Sequence, residues 1–252
     1  MTMPARVRSA LNKALAPLGF TLARRHELAS AVEDRWRMSA ALRRAATLGV
    51  QPASIIDLGA AVGEWSQLAH SIFPDADYVL VEPLLERAAA LRAFCEQHFR
   101  MRHITVAAGA SQGQVMFDVS SDLDGSGVYG GTSGSSARLV PVETVDAIVR
   151  VQGLRPPFLL KLDTHGYELP ILAGAAETLA HTALIVMEVY NFSISPTAVP
   201  FWEICATLAT RGFRPADVCG LMHRPRDGIF WQADFFFLPA KHPNFLDARY
   251  SE

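Results

Sequence analysis

From Ser54 onward the chain alternates two hydrophobic patterns. Short apolar runs ending at a polar or acidic residue give way to stretches whose apolar positions recur at helical spacing, and that exchange predicts strand followed by helix. Strands are expected at Ile55–Leu58, Tyr78–Val81, His103–Ala108, Phe158–Leu162 and Leu184–Met187. Helices are expected over Glu64–Phe73, Leu84–Phe99, Glu168–Leu179 and Ala198–Arg211, the last with Gly212 beyond its end. Val218–Leu221 and Ile229–Phe237 flank the turn-rich Arg224-Pro225-Arg226-Asp227-Gly228 and predict a closing hairpin. This order implies an α/β fold with a mostly parallel sheet, and such sheets bind ligands beyond the carboxyl ends of their strands.

Two regions break the alternation. Residues 1–50 carry nine basic residues against three acids and read as a helical extension to a domain spanning 51–252. Val7, Leu11, Ala14, Leu15 and Leu18 recur at helical spacing until Gly19, and a second helix is expected from about Leu28 to Leu48. The extension either packs over the sheet with its arginines solvated, presents a basic surface to an anionic acceptor, a peripheral membrane or a carrier, or makes a dimer contact. The second region, Asp118–Ser136, is rich in Ser and Gly and lies between the strand-like runs Gln114–Phe117 and Arg138–Val142. It reads as a flexible hairpin tip, or as a lid over a ligand with Tyr129 as its large anchor.

Composition narrows the classes little. Half of the 252 residues are apolar, which suits a chain with a sizeable core, and the formal net charge of −2 argues against nucleic acid as a partner. Cys95, Cys205 and Cys219 have neither metal-ligand nor disulfide spacing, so a reducing, cytoplasmic setting is expected. No apolar stretch is long enough to span a bilayer, and the N-terminus lacks the pattern of a secretory leader.

The candidate chemistry begins at Ile55–Ser66, where a strand ends at Asp57, passes Gly59 and Gly63, and opens into a helix. The G-x-x-x-G spacing differs from the G-x-G-x-x-G of dinucleotide sites, and an acid at the strand end suits phosphate poorly. S-adenosylmethionine (SAM) carries a sulfonium, an amino group and a ribose diol, with no phosphate. Asp57, Glu82, Asp163 and Glu188 end four expected parallel strands and should converge on one crevice. Glu82 follows Gly63 by nineteen positions, where an acid takes both ribose hydroxyls in nucleoside-binding sheets. Crowded carboxylates repel by about 4 kcal/mol at contact for an effective dielectric near 20, so the crevice calls for a cation. The expected cofactor set is Asp57, Gly59, Ala60, Gly63, Ser66, Glu82, Pro83, Ala108 and Asp163, with Trp65 beside them, although packing between helix and sheet is the simpler role for that indole.

The stretches IIDLGAAVGEWS (55–66), VEP (81–83), VPVETVDAI (140–148), LLKLDTHGYELPILAGAAETL (159–179) and IVMEVY (185–190) resemble the FkbM-type family of class I SAM-dependent methyltransferases. The K-x-D-x-x-G-x-E segment is the most specific part. The resemblance implies a Rossmann-like, mostly parallel seven-stranded sheet with helices on both faces. It also implies O-methylation of a hydroxyl on a sugar, glycan or polyketide-like product. His165 departs from the Gln or Glu that many members carry there.

An alcohol acceptor must lose its proton as the methyl arrives, so a nearby base helps. His165, two residues past the Asp163 strand end, is the candidate base, and capping the next helix is its alternative role. Asp163 is assigned to the methionine end of SAM or to the acceptor, and Glu188 to orienting base or acceptor. A different arrangement has Asp163, His165 and Glu188 holding a divalent metal that lowers the acceptor's pKa. Tyr190, Asn191 and His223 are the expected acceptor contacts. Competing readings are N- or C-methylation of a small metabolite, a non-catalytic SAM-binding module, and an NAD-dependent enzyme, which the glycine spacing opposes. The N/D-P-P-Y/F turn of amino-directed DNA methyltransferases is replaced here by Asp163-Thr164-His165-Gly166.

Overall fold

A computed structural model describes residues 11–18, 34–128 and 137–251. Its seven-stranded sheet uses β1 (Ser54–Leu58), β2 (Asp77–Val81), β3 (Met101–Ile104), β7 (Phe158–Leu162), β8 (Thr182–Tyr190), β9 (Phe213–His223) and β10 (Phe230–Pro239). The spatial order is β3-β2-β1-β7-β8-β10-β9, parallel from β3 to β8, with β10 antiparallel to both of its neighbours. A second sheet, β4 (Ala107–Ala108), β5 (Gly113–Asp118) and β6 (Ala137–Glu143), has the order β4-β6-β5.

The helices are α1 (Met38–Thr47), α2 (Glu64–His70), α3 (Leu85–Glu96), α4 (Val145–Val151), α5 (Glu168–Ala173), α6 (Ala176–Leu179) and α7 (Phe201–Thr210). Strand side chains alternate between the two sheet faces, so each strand feeds two cores. Ile56, Val79, Leu160 and Ile185 pack against α4, α5 and α7 on one face. Ile55, Tyr78, Leu159 and Val186 pack against α1, α2 and α3 on the other. Helix α1, within the stretch expected as an extension, buries Ala41, Leu42 and Ala45 in this second core. Truncating Leu42 to Ala there costs about 2–5 kcal/mol. Arg44 donates from Nε to Asp217 Oδ2 at 2.6 Å and ties α1 to β9.

Two expected elements are divided. The run expected as one strand over His103–Ala108 leaves the main sheet after Ile104, and Ala107–Ala108 instead pairs with β6. The helix expected over Glu168–Leu179 breaks at Gly174, whose backbone lies so close to the Gly109 carbonyl that a Cβ would stand 2.1 Å from its oxygen. Of the helix expected from Leu28, residues 28–33 lie outside the described residues, as does Tyr129.

Candidate active site

The carboxyl ends of β1, β2, β7 and β8 open onto a cleft lined by Gly59, Ala61, Glu82, Pro83, Ala108, Asp163, His165 and Glu188 among others. Gly59 makes this edge possible. Its φ of +81° favours glycine, and a Cβ would stand 1.9 Å from the Asp163 carbonyl oxygen, so the turn after β1 lies directly against the end of β7. Gly63 begins α2 at φ +92°, with the Phe94 ring where a Cβ would go.

Glu82 is 5% exposed and holds the loop together. Its Oε2 accepts from the Ala61 N–H at 3.0 Å, and its Oε1 from the Leu84 N–H at 3.0 Å. Arg87 Nη1 stands 3.9 Å from Oε2. Burial raises the Glu82 pKa despite these partners, so the carboxyl sits in the cleft wall with an electrostatic demand for further donors.

Asp57 does not reach the cleft, which corrects the expected convergence of four acids. It pairs in register with Lys161, so both side chains leave the sheet on one face, and Lys161 Nζ stands 3.1 Å from Asp57 Oδ1. Ser66 Oγ donates to Asp57 Oδ2 at 2.7 Å. Lys161 also donates to the Gly59 carbonyl at 2.9 Å and stands 3.3 Å from Asp163 Oδ2. Burial disfavours the ammonium, but the two aspartates outweigh it and keep Lys161 charged. Asp57, Ser66 and Lys161 thus anchor the glycine loop from beneath. Ala60 and Gly63 do not line the cleft, and neither does Trp65, which packs into the core with α2.

Glu82, Asp163 and Glu188 line the same cleft, and Asp163 and Glu188 stand together at His165. His165 adopts φ +53°, and its Nδ1 lies 3.1 Å from the Ser126 carbonyl, to which it donates as the Nδ1–H tautomer. Its Nε2 then faces Asp163 Oδ1 at 3.6 Å and Glu188 Oε2 at 3.8 Å. The turn is held by Glu168, whose Oε1 accepts from the Gly166 N–H at 3.1 Å and the Thr164 hydroxyl at 3.0 Å. Glu188 accepts hydrogen bonds from the Tyr190 hydroxyl and the Gln232 amide. Burial and then Asp163 push Glu188 up to about 8, while Lys161 and His165 hold Asp163 below the usual carboxylate range against its own desolvation. Asp234, paired in register with Glu188, is pushed up to about 7 by burial and by Asp163. Asp163, His165 and Glu188 offer ligand atoms within 4.8 Å of one another, the spacing that a divalent cation would also accept.

The first half of the Ser/Gly-rich stretch forms the outer wall. Asp124 pairs with Arg87, Leu123 and Val128 pack with Phe117, and Leu123, Asp124, Ser126 and Val128 line the cleft. Tyr190 stands beside the cleft through its bond to Glu188, and Asn191 donates to the Phe230 carbonyl at 3.1 Å. His223 is exposed on the hairpin, 6.4 Å from the Phe230 ring, and does not line the cleft. Composition of the sequence overlooked Arg87, Ser126, Gln232 and Asp234. Lys161 alone carried a signal, as a lysine inside an otherwise apolar strand.

These residues fit SAM. Glu82, Asp124, Asp163 and Glu188 outnumber Arg87 and His165 along the cleft, and Leu58, Val81, Val106 and Ile171 supply apolar wall between the polar ends. A cationic nucleoside matches that distribution, whereas a pyrophosphate would meet carboxylates.

The Methyltransferase FkbM domain model matches residues 57–215, well over half of the chain. No curated protein matches by sequence. Among solved structures, the FkbM methyltransferase of Methylobacillus flagellatus is similar at a TM-score of 0.49 and 16% identity, over 73% of this chain and 43% of that one. This chain therefore spans less than half the length of that relative. The magnesium protoporphyrin IX methyltransferase of Synechocystis, solved with bound SAM, is similar at a TM-score of 0.47 and 10% identity over 94% of this chain and 98% of its own. A putative RNA methyltransferase of Pyrococcus horikoshii is similar at a TM-score of 0.44 and 15% identity over 80% and 83%. The exclusion of nucleic acid drawn from composition is corrected: a formal net charge of −2 is a sum over the whole chain and does not exclude a basic surface for a nucleic acid. No helix among the described residues is long and apolar enough to cross a membrane. The mostly parallel seven-stranded sheet is Rossmann-like, and the chain belongs to the FkbM methyltransferase family.

Proposed function

We propose that the protein methylates a hydroxyl of a sugar, glycan or polyketide-like product, with His165 as general base. The observation that carries the reading is the orientation of one imidazole. His165 Nδ1–H donates to the Ser126 carbonyl, which leaves Nε2 facing the two carboxyl groups of Asp163 and Glu188. A base so placed accepts a proton, and Asp163 stabilises the imidazolium that results.

SAM supplies a methyl group on a sulfonium that leaves as a neutral thioether. Glu82 would hold the ribose hydroxyls, Pro83 and Ala108 would bound the adenine, and Gly59 and Ala61 would offer their backbone to the cofactor. Asp163 holds the amino acid end or the acceptor, and Glu188 orients acceptor and base. With SAM bound, an acceptor hydroxyl held beside Glu188 would give its proton to His165 Nε2 as its oxygen takes the methyl group and the neutral thioether leaves. Much of the barrier reduction comes from holding the two reactants in line.

The test uses SAM carrying a labelled methyl and a panel of glycan and polyketide alcohols. The label should appear on oxygen. His165→Ala should lower kcat by about a hundredfold or more with SAM affinity retained, and Glu82→Ala should do the reverse. A methyl on nitrogen or carbon, or equal loss in both variants, would overturn the assignment.

A further inference from the structure

The acceptor's position follows from strand direction. The glycine loop and Glu82 occupy the β1–β2 end of the cleft edge, so the partner in an in-line displacement must enter from the β8 side. The next strand there is β10, and because it runs antiparallel to β8, its first residues stand where β8 ends. Gln232 pairs in register with Tyr190, and both side chains bond Glu188, one to each carboxyl oxygen.

Immediately beyond this pair lie two half-buried aromatic rings. Phe192 and Trp231 have ring centroids 5.2 Å apart at an interplanar angle of 32°, and Tyr190 meets Trp231 edge-on at 6.1 Å. The Asn191 N–H donates to the Trp231 carbonyl at 2.9 Å, which locks the two segments together. Arg224 lies over the Phe192 ring at 4.4 Å, and Asp227 holds its guanidinium through Nε at 3.1 Å and Nη2 at 2.6 Å.

We infer that Phe192 and Trp231, joined to Glu188 through Tyr190 and Gln232, form the acceptor subsite, and that its ligand is a pyranose ring of a glycan. The inference rests on the proposed O-methyl transfer at His165. Phe192, covered by Arg224 and set against Trp231, backs the Trp231 ring, and the C–H bonds on one face of a pyranose are the electropositive complement of that indole's π density. The polar rim discriminates further. Asn191, Arg224 and Asp227 would lose water without gaining partners against an apolar polyketide surface, whereas equatorial hydroxyls can bond them. Asp227 holds the Arg224 guanidinium in place through two bonds, and Arg226 Nε also stands 3.3 Å from Asp227 Oδ2, so the rim offers fixed donors to sugar hydroxyls.

The full chain, saturated with S-adenosylhomocysteine, is tested by saturation-transfer NMR against methyl glycopyranosides and a hydroxylated macrolactone. Ring C–H protons of a glycopyranoside should receive saturation, and the transfer should vanish in Trp231→Ala and Phe192→Ala but persist in Trp231→Phe. In turnover assays the two alanine variants should raise the acceptor KM by about tenfold while the SAM Kd stays within about twofold of the unaltered protein's. The unchanged SAM Kd also reports that each variant is folded. Saturation of the macrolactone in place of every glycoside overturns the pyranose assignment, and an unmoved KM in both alanine variants overturns the subsite. Absence of SAM binding by the unaltered protein overturns the proposed function and this inference together. Intact SAM binding with an unmoved KM overturns this inference alone.

Discussion

Lys161 and Asp57 face each other across neighbouring strands, Nζ to Oδ1 at 3.1 Å, with neither side chain more than 5% exposed. A buried charge pair of this kind contributes little relative to an apolar pair, but removing one member strands the other. Lys161→Met should therefore destabilise the protein by about 3–5 kcal/mol, read as a lower midpoint in urea at unchanged slope. Adding Asp57→Asn should recover a substantial part of the loss. Purely additive losses in the double variant would show that the two groups are not coupled.

Gly59→Ala tests the contact between the glycine loop and β7. The added methyl would meet the Asp163 carbonyl at 1.9 Å, and alanine at φ +81° carries a further cost of about 1–2 kcal/mol. The loop must move away from Asp163, and SAM affinity should fall by at least about tenfold, since 1.4 kcal/mol is already a factor of ten. Calorimetric titration checks it. A wild-type Kd would mean the loop does not touch the cofactor.

Proton release should accompany SAM binding. Glu188 is pushed up to about 8 and Asp234 to about 7, each by burial first and then by Asp163, so near neutral pH both hold protons that an ordinary carboxyl would have lost. A cation in the cleft favours the ionised forms and expels those protons. Affinity should then rise with pH between about 6 and 8 and level off above. Without ligand the sign for stability is opposite. The folded state binds more protons than the unfolded chain between the ordinary carboxylate pKa and 8, so stability falls as pH rises through that window. Calorimetry in buffers of different ionisation enthalpy counts the protons, and Glu188→Gln should reduce the count. Equal heats in all buffers would refute the prediction.

Chelation should leave turnover unaffected within about twofold. Both Glu188 oxygens already accept hydrogen bonds from Tyr190 and Gln232, and Lys161 already faces Asp163, so the three-residue set has protein partners for most of its lone pairs. Activity lost in EDTA and restored by Mg²⁺ or Mn²⁺ would place a cation on Asp163, His165 and Glu188 instead.

The fold was largely legible in the residues because strand alternation and helical spacing are local signals. The glycine loop and Glu82 were legible for the same reason, since they lie within one strand–helix–strand unit. Asp57 was misread because its fate depends on register. A residue at a strand end reaches the cleft only if the neighbouring strand leaves it unclaimed, and Lys161, its partner in β7, is 104 positions away. The breaks at Ile104 and Gly174 were hidden likewise. The first follows from the pairing of Ala107–Ala108 with β6 and the second from the close approach of Gly174 to Gly109, and no local pattern encodes either. Ser126 and Gln232 orient His165 and Glu188 from distant segments and give no sequence signal of their own.

The insertion of β10 between β8 and β9 separates the molecule's duties by chain position. On the proposed roles, the nucleoside end of the cleft is finished by Ala108, while the aromatic rim comes from the segment after Tyr190, the turn around Arg224 and Trp231 at the start of β10. Those late segments can lengthen, shorten or be exchanged with no strand of the parallel sheet changing register. A lineage built on this plan could therefore acquire new clients by rewriting two surface turns, with the donor-handling machinery inherited intact.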